Sequence, residues 1–464
     1  MLTENMNCLF SQKNRMFQIT ITVLLGFLCL LALRYFQSNI FKIAFLYSTI
    51  LFVMYLVILY KNSLNKYGIG IFSFLCVQLI ATAPIPEQLG LITSTSYLLS
   101  YRYGVSSRGF VATIVDFLTS GNFISVHFVW HFILCSTIFL SFIISVYLGT
   151  VIQKTKDNTK IFLIFLSLLY LSCFTSPSAY YTQANFGRVE IFALLLMLFL
   201  IVIIDNHVFR WLIPLLALSV LAIHLILLFF YIPFVIIMLY YEISAKKEKN
   251  KQTISLLICT ITVILAAFLL YILFHERTFV FEDTRSFFEY LRTKSDLNVS
   301  ERYLHLTMYG ELQDHLTGWK NRINYMYSGN ISIIINLPLV FLFVFFWLKC
   351  FIRETEKIMK PFFLLPVLAL LYQSLAFFMF FDFGRWMIMI LNVQFMLVFY
   401  LVFVRNKTVL SLVETITQVL KQNGFIVILI CFVMIFLGPV REMGPSERIM
   451  HIISGLSHFF GLIK

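Results

Sequence analysis

Four arginines stand out because each lies in a short polar turn between apolar segments: Arg102, Arg108, Arg188 and Arg385. A guanidinium group presents a planar fork of N–H donors whose geometry matches the oxygens of a phosphate group. If the four turns lie on one side of a membrane, the side chains form an arginine cluster at its edge. Such a cluster, with a histidine and acids nearby, suits the pyrophosphate of a lipid-linked substrate.

Three further side chains are candidates for proton transfer or charge pairing. His224 lies within 211–241, a run of apolar residues in which a histidine is costly unless it has a partner or lines a cavity. Glu190 opens another strongly apolar segment, so its carboxylate needs a partner. Asp382 and Arg385 are three residues apart and can pair if their turn is helical.

Each of these features also has a purely structural explanation. Arginines and tyrosines anchor helices at a membrane interface, and a lone histidine is usually a satisfied structural residue. The turn 101–110 is expected to lead into a helix along the membrane, capped by Ser106 or Ser107, whose free N–H groups suit a phosphate. The sequence leaves both explanations open at each position.

The composition requires lipid as the solvent for most of the protein surface. Hydrophobic residues make up 60% of the 464 positions and charged residues 12%, against about 45–50% and about 25% in soluble domains. We expect an all-α fold, a polytopic integral membrane protein forming a single domain over 1–464. The segments long enough to cross about 30 Å of hydrocarbon are 16–36, 40–60, 68–84, 123–149, 161–178, 188–204, 253–274, 332–349, 361–380, 387–405 and 425–439.

The segment 211–241 is too long for one upright span and short for two, since its residues make about 46 Å of helix. A turn near 222–224 returns the basic run 245–251 to the cytoplasmic side, as the positive-inside rule favours. We therefore predict two short helices or a hairpin here, which gives about 12–13 transmembrane segments.

This topology places the N-terminus in the cytoplasm and all four arginine turns outside. Two long extracytoplasmic loops follow from it, 85–122 and 275–331, the second with apolar spacing that predicts helix and with aromatic residues that suit sugar rings. The tail ends in an amphipathic stretch, 451–463, expected at the membrane surface.

The net charge of +13 is explained by basic cytoplasmic loops, so no nucleic-acid partner is expected. The eight cysteines are scattered in apolar stretches without metal-ligand spacing, and no metal site or disulfide framework is predicted. The absence of a Walker loop and of a His-Glu-x-x-His motif gives no support to ATP-driven transport or to intramembrane metalloproteolysis.

The layout of the chain resembles bacterial oligosaccharide repeat-unit polymerases, the Wzy class, including EpsG-like members. The closest local likeness is 187–192, which contains Arg188, followed by 222–225, which contains His224. EpsG-like proteins show an arginine that opens one helix and a histidine in the next hydrophobic pair.

The resemblance implies glycosyl transfer at the outer face of the bacterial cytoplasmic membrane, without metal or cofactor. Undecaprenyl-pyrophosphate-linked oligosaccharide units would be joined into O-antigen or capsular polysaccharide, and a chain-length regulator protein would be a partner. The arginines would neutralise the departing pyrophosphate and a histidine or carboxylate would take the acceptor proton. The residues expected in these roles are Arg102, Arg108, Arg188 and Arg385 for pyrophosphate, His224 as the base, and Glu190 and Asp382 as its alternatives.

Two other functions stay open. A GT-C glycosyltransferase that uses a polyprenyl-phosphate sugar usually carries an acid in its first outer loop; here 34–40 has none, although Asp116 or Glu87 would be substitutes. A lipid-linked oligosaccharide flippase or other transporter would line its midplane with polar residues and often shows an internal repeat. The sequence places its candidates at one face and shows no repeat.

Overall fold

The structure is a computed structural model that describes residues 39–61, 64–181, 185–206, 208–245, 250–275, 278–309, 326–379, 382–441 and 446–459. This part of the chain is helical, and its only β pairing is a single bridge between Ile124 and Ser295. The first half contains α1 (Asn39–Lys61), α2 (Lys66–Thr82), α3 (Leu91–Ser96), α4 (Gly109–Leu118), α5 (Val126–Lys154), α6 (Asp157–Ser172), α7 (Glu190–Ile203) and α8 (Ile213–Ile223). The second half contains α9 (Leu227–Ala245), α10 (Asn250–Phe274), α11 (Thr284–Lys294), α12 (Glu301–Leu304), α13 (Met326–Arg353), α14 (Leu365–Ser374), α15 (Ala376–Met379), α16 (Phe383–Phe403), α17 (Lys407–Leu437) and α18 (Glu447–Phe459).

Seven helices among the described residues are long and apolar enough to cross a membrane, which confirms a polytopic helical membrane protein. They are Val126–Lys154, Thr159–Tyr181, Leu227–Ala245, Lys251–Phe274, Ile331–Arg353, Phe383–Phe403 and Lys407–Leu437. Five shorter apolar helices accompany them: Lys42–Tyr55, Lys66–Thr82, Gly109–Leu118, Glu190–Ile203 and Phe209–Ile223. Each predicted span from 40–60 onward overlaps helix, but 361–380 is divided into a 3₁₀ turn (Lys360–Leu364) and the short helices α14 and α15. The predicted first span, 16–36, lies outside the described residues.

The segment 211–241 folds as two helices, as its length and flanking charges predict. Helix α8 ends at Ile223, and α9 begins at Leu227 after a three-residue connection that starts with His224. Leu216 and Val235 line the same small apolar cavity, so the two helices lie side by side. The hairpin prediction is confirmed, and its turn is where His224 lies.

Helix α16 forms the centre of the bundle. Within its most apolar stretch 94% of the residues are buried inside the protein, so other parts of the chain surround this helix on all sides. In the corresponding stretch of α17 only 6% of the residues are buried, which leaves an apolar surface of the kind that lipid covers. The central helix begins at Phe383, so it carries Arg385 in its first turn.

The segment 85–122 is compact. It contains α3, α4 and two 3₁₀ turns, and its residues Thr93–Ser96 are buried. The prediction that Ser106 or Ser107 caps the following helix is wrong: α4 begins at Gly109, its N-cap is Arg108, and no side chain caps it. The carbonyl of Ser107 instead accepts the backbone N–H of Leu225 at 3.1 Å, which ties this turn to the α8–α9 hairpin.

The predicted loop 275–331 is described as far as residue 309 and again from 326. Its apolar spacing correctly predicts helix, because Phe287 and Leu291 on α11 are buried, as is Leu297 beyond it. Helix α12 follows and is joined to the 85–122 segment by a hydrogen bond from the Ser300 N–H to the Thr95 hydroxyl at 2.9 Å. The described part of the predicted amphipathic stretch 451–463 is helical, since α18 extends to Phe459, and the remainder lies outside the described residues.

Candidate functional site

A buried carboxylate–imidazole pair lies at the centre of the candidate site. Glu190 Oε1 is 3.0 Å from Nδ1 of His224, and the two residues are only 1% and 4% exposed. Glu190 is the first residue of α7, while His224 follows the last residue of α8 in extended conformation. The apolar segments on both sides bury these residues, so the pair satisfies two polar groups that would otherwise be costly.

Arg108 closes the other side of the imidazole. Its Nε donates to Nε2 of His224 at 2.9 Å, and its guanidinium hydrogen-bonds to the hydroxyl of Tyr303. The guanidinium carbon also lies 5.2 Å from the centre of the Tyr303 ring, a cation–π contact. The same hydroxyl is 3.0 Å from Oγ of Ser96, so two segments outside the long helices hold this arginine.

Arg385 links Glu190 to the central helix. Its Nε lies 3.6 Å from Glu190 Oε1, its Nη2 lies 2.5 Å from Oδ2 of Asp382, and the residue is fully buried. The Asp382–Arg385 pair is the one that the three-residue spacing predicts. The guanidinium also lies 4.5 Å from the ring centre of Trp386, which is buried beside it.

Arg188 is the third arginine of the cluster. It is 4% exposed and interacts electrostatically with Glu190. A tight turn places it: the Arg188 N–H bonds to the carbonyl of Asn185 at 3.1 Å, and Gly187 between them has a φ of +80°. The positive φ favours glycine, and a Cβ here would lie 2.5 Å from Cδ1 of Ile133, so a larger residue would also displace that side chain.

Helix ends explain why residues so far apart in sequence meet here. Glu190 and Arg385 lie in the first turns of α7 and α16, Arg108 is the N-cap of α4, and His224 ends α8. Three helix N-termini, whose free N–H groups carry partial positive charge, therefore contribute to one site. This arrangement favours negative charge at the cluster.

Arg102 is the predicted residue that does not join these contacts. Its side chain is exposed, and its guanidinium lies beside Gly121, near Asp116. The 3₁₀ turn 101–103 separates it from Arg108, so the two side chains leave the same segment towards different neighbours. The structure thus brings together six of the seven predicted site residues: Arg108, Arg188, Glu190, His224, Asp382 and Arg385.

Three buried tyrosines complete the surroundings of Glu190. Tyr97, Tyr180 and Tyr231 are at most 1% exposed, each interacts electrostatically with Glu190, and none of their hydroxyls has a hydrogen-bond partner among the described residues. Glu190 Oε2 is likewise without one there. Sequence reasoning missed these tyrosines because they lie in three separate segments of the chain, and nothing in the local sequence indicates that these segments meet.

The described residues of the cluster include more arginines than carboxylates. Among its described members, three arginines face the two carboxylates of Glu190 and Asp382, and His224 accepts a hydrogen bond from Arg108 as a neutral imidazole does. No group of three His, Cys, Asp or Glu side chains in the described part of the chain is arranged to hold a metal ion. Chemically, the arrangement can bind an anion and hold an imidazole oriented by a carboxylate.

Comparisons of the chain with protein-family models, with curated proteins and with solved structures found no match.

Proposed function

We propose that the protein is a polysaccharide polymerase. It joins undecaprenyl-pyrophosphate-linked oligosaccharide repeat units into O-antigen or capsular polysaccharide at the outer face of the bacterial cytoplasmic membrane. The observation that supports this proposal best is the cluster in which, among the described residues, three arginines and two carboxylates surround an oriented histidine. Guanidinium groups form their strongest hydrogen bonds with charged acceptors, and a phosphate group of the substrate is such an acceptor.

In the proposed reaction the acceptor hydroxyl of one unit attacks the anomeric carbon of another. The new glycosidic bond forms as the bond from that carbon to the pyrophosphate oxygen breaks, so negative charge grows on the departing pyrophosphate. Arg188 and Arg385 are fixed by burial and stabilise this charge without reorganising.

The acceptor proton goes to Nε2 of His224. Its Nδ1 faces Glu190, whose carboxylate orients the imidazole and stabilises its protonated form, as an acid does beside a histidine base. Asp382 pairs with Arg385 and so positions that arginine. We propose this role for Asp382 in place of the alternative in which it serves as the base.

The rival transporter function predicts polar side chains at the middle of the bundle. Two such residues occur on the central helix, Asn392 and Gln394. Each is satisfied by a neighbour: the Tyr170 hydroxyl donates to the Asn392 side chain at 2.7 Å, and the Trp347 indole to Gln394 at 2.7 Å. Satisfied side chains of this kind are expected in helix packing, so they favour no transport path.

The test of the proposal is the polysaccharide ladder made by cells that lack the native gene and carry a variant copy. Arg188→Ala should abolish the ladder, since loss of one such donor costs about 10²–10³-fold in rate, and Arg188→Lys should impair it because the fork is lost. His224→Ala should also abolish the ladder. His224→Gln should do the same, because glutamine keeps the packing of the side chain but cannot take the acceptor proton.

Arg210→Ala is the matched control. Arg210 is also a buried arginine, 6% exposed, but it lies before α8 and donates to Gln252. This variant should keep the ladder, which separates loss of the site from the general cost of removing a buried arginine. Full-length polymer from both Arg188→Ala and His224→Ala would refute the proposed site.

A further inference from the structure

Both ring nitrogens of His224 are occupied. An arginine N–H can only donate, so Nε2 of His224 accepts from Arg108 and the imidazole proton is on Nδ1, where it is donated to Glu190. This tautomer is the correct one for a base that works through Nε2. The lone pair that would take a proton is, however, covered by Arg108.

Arg108 is the arginine of the cluster best placed to move. Arg188 and Arg385 are 4% and 0% exposed, whereas Arg108 is partly exposed. It is the N-cap of α4 at the end of a turn, in a non-helical conformation, and its side chain makes no capping hydrogen bond.

Tyr303 holds Arg108 over the imidazole. The tyrosine contributes both its hydroxyl and its ring face, and its hydroxyl is also 3.0 Å from Ser96 Oγ. Tyr303 lies on α12, which the Ser300 side chain caps by accepting the Tyr303 N–H at 3.1 Å. The side chain that holds Arg108 therefore lies on a short helix and not on one of the long apolar helices.

We propose that Arg108 is a displaceable cap on His224, positioned by Tyr303, and that a phosphate group of the substrate draws it away. A guanidinium bonds more strongly to a phosphate oxygen than to a neutral imidazole, because the acceptor is charged. An arriving pyrophosphate thus exposes Nε2 at the moment when a base is needed. The identity of the anion rests on the proposed function; the cap itself does not.

The experiment measures how fast His224 reacts with diethyl pyrocarbonate, which acylates an unprotonated imidazole nitrogen. The purified full-length protein in detergent is labelled with and without inorganic pyrophosphate, and the modified peptides are quantified by mass spectrometry. A nitrogen that is uncovered only about a tenth of the time reacts about tenfold more slowly than an open one. We therefore expect pyrophosphate to accelerate labelling of His224 by about that factor.

Two variants test the parts of the cap. In Arg108→Ala, His224 should be labelled fast even without pyrophosphate. In Tyr303→Phe, which keeps the ring but loses the hydroxyl, His224 should be labelled at an intermediate rate. His275, whose Nδ1 is 2.8 Å from the carbonyl of Val105, provides the internal reference and should label equally in every sample.

Equal His224 labelling in the unsubstituted protein and in Arg108→Ala, or no acceleration by pyrophosphate, would overturn the proposal. The pyrophosphate arm needs no variant, so it stands even if Arg108→Ala fails to fold. Because labelling needs no turnover, it is independent of the ladder assay. A capped His224 in a protein whose Arg188→Ala and His224→Ala variants still make polymer would refute the proposed catalytic site and leave the cap standing.

Discussion

Replacing Glu190 with glutamine should destabilise the protein strongly, although the two side chains have nearly the same shape. A glutamine oxygen can still accept the Nδ1–H of His224, so the principal loss is charge. Glu190 Oε1 lies 3.6 Å from Nε of Arg385, and both side chains are 1% exposed. At an effective dielectric constant of about 20, two unit charges at that distance attract by about 4–5 kcal/mol.

Removing one member of a buried ion pair typically costs about 3–5 kcal/mol, and without Glu190 the described arginines of the cluster would face only the carboxylate of Asp382. This range agrees with the Coulomb figure, so we expect Glu190→Gln to lower the free energy of unfolding by about 3–5 kcal/mol. Glu289 provides the control, because its carboxylate pairs with Arg285 at 2.5 Å but the two side chains are 48% and 64% exposed. Glu289→Gln should cost no more than about 1 kcal/mol, as solvent-exposed pairs do.

The assay is reversible unfolding of the purified protein in mixed micelles with increasing SDS, followed by far-ultraviolet circular dichroism. The free energy of unfolding is extrapolated to zero SDS for the unsubstituted protein and both variants. The single variant Arg385→Gln and the double variant Glu190→Gln with Arg385→Gln close a thermodynamic cycle that isolates the pairwise term. If Glu190→Gln cost no more than Glu289→Gln, the claim that a buried charge cluster holds these helix ends together would be wrong.

Two further predictions concern the turn before α7 and the membrane topology. Gly187→Ala places a Cβ 2.5 Å from Ile133 in a residue with φ of +80°, so it should cost at least about 1–3 kcal/mol and remove the polymer ladder by displacing its neighbour Arg188. Gly70→Ala, whose Cβ would meet nothing within 4 Å on a helix, should be neutral or stabilising, and equal stability of the two variants would contradict the argument. A cysteine at position 250 should react with an impermeant thiol reagent only after the inner membrane is breached; labelling in intact cells would reverse the topology.

The hairpin of 211–241 shows how far sequence reasoning reaches in this protein. Length sets the number of helices, because about 46 Å of helix exceeds the thickness of the hydrocarbon. The basic run that follows it predicts that the chain returns to the cytoplasmic side of the membrane. The structure places the turn at His224, within the predicted 222–224, although the membrane side on which it lies stays a prediction.

The sequence alone determined the helical membrane class, nearly all of the helical segments and the polar residues that interrupt them, because lipid demands continuous apolar runs and penalises every charge within them. It also predicted the Asp382–Arg385 pair, whose partners are local. It could not decide which arginines meet. Arg102 and Arg108 are six residues apart, yet one lies beside Gly121 and the other on His224, 116 residues further along the chain.

Which arginines meet depends on how the helix ends pack, and so does the position of the three buried tyrosines around Glu190. Packing brings together side chains from distant segments of the chain, and the residues next to each of them in sequence do not indicate the contact. The tertiary structure alone decided that the imidazole is held between a carboxylate and an arginine, because each partner is supplied by a different segment of the chain.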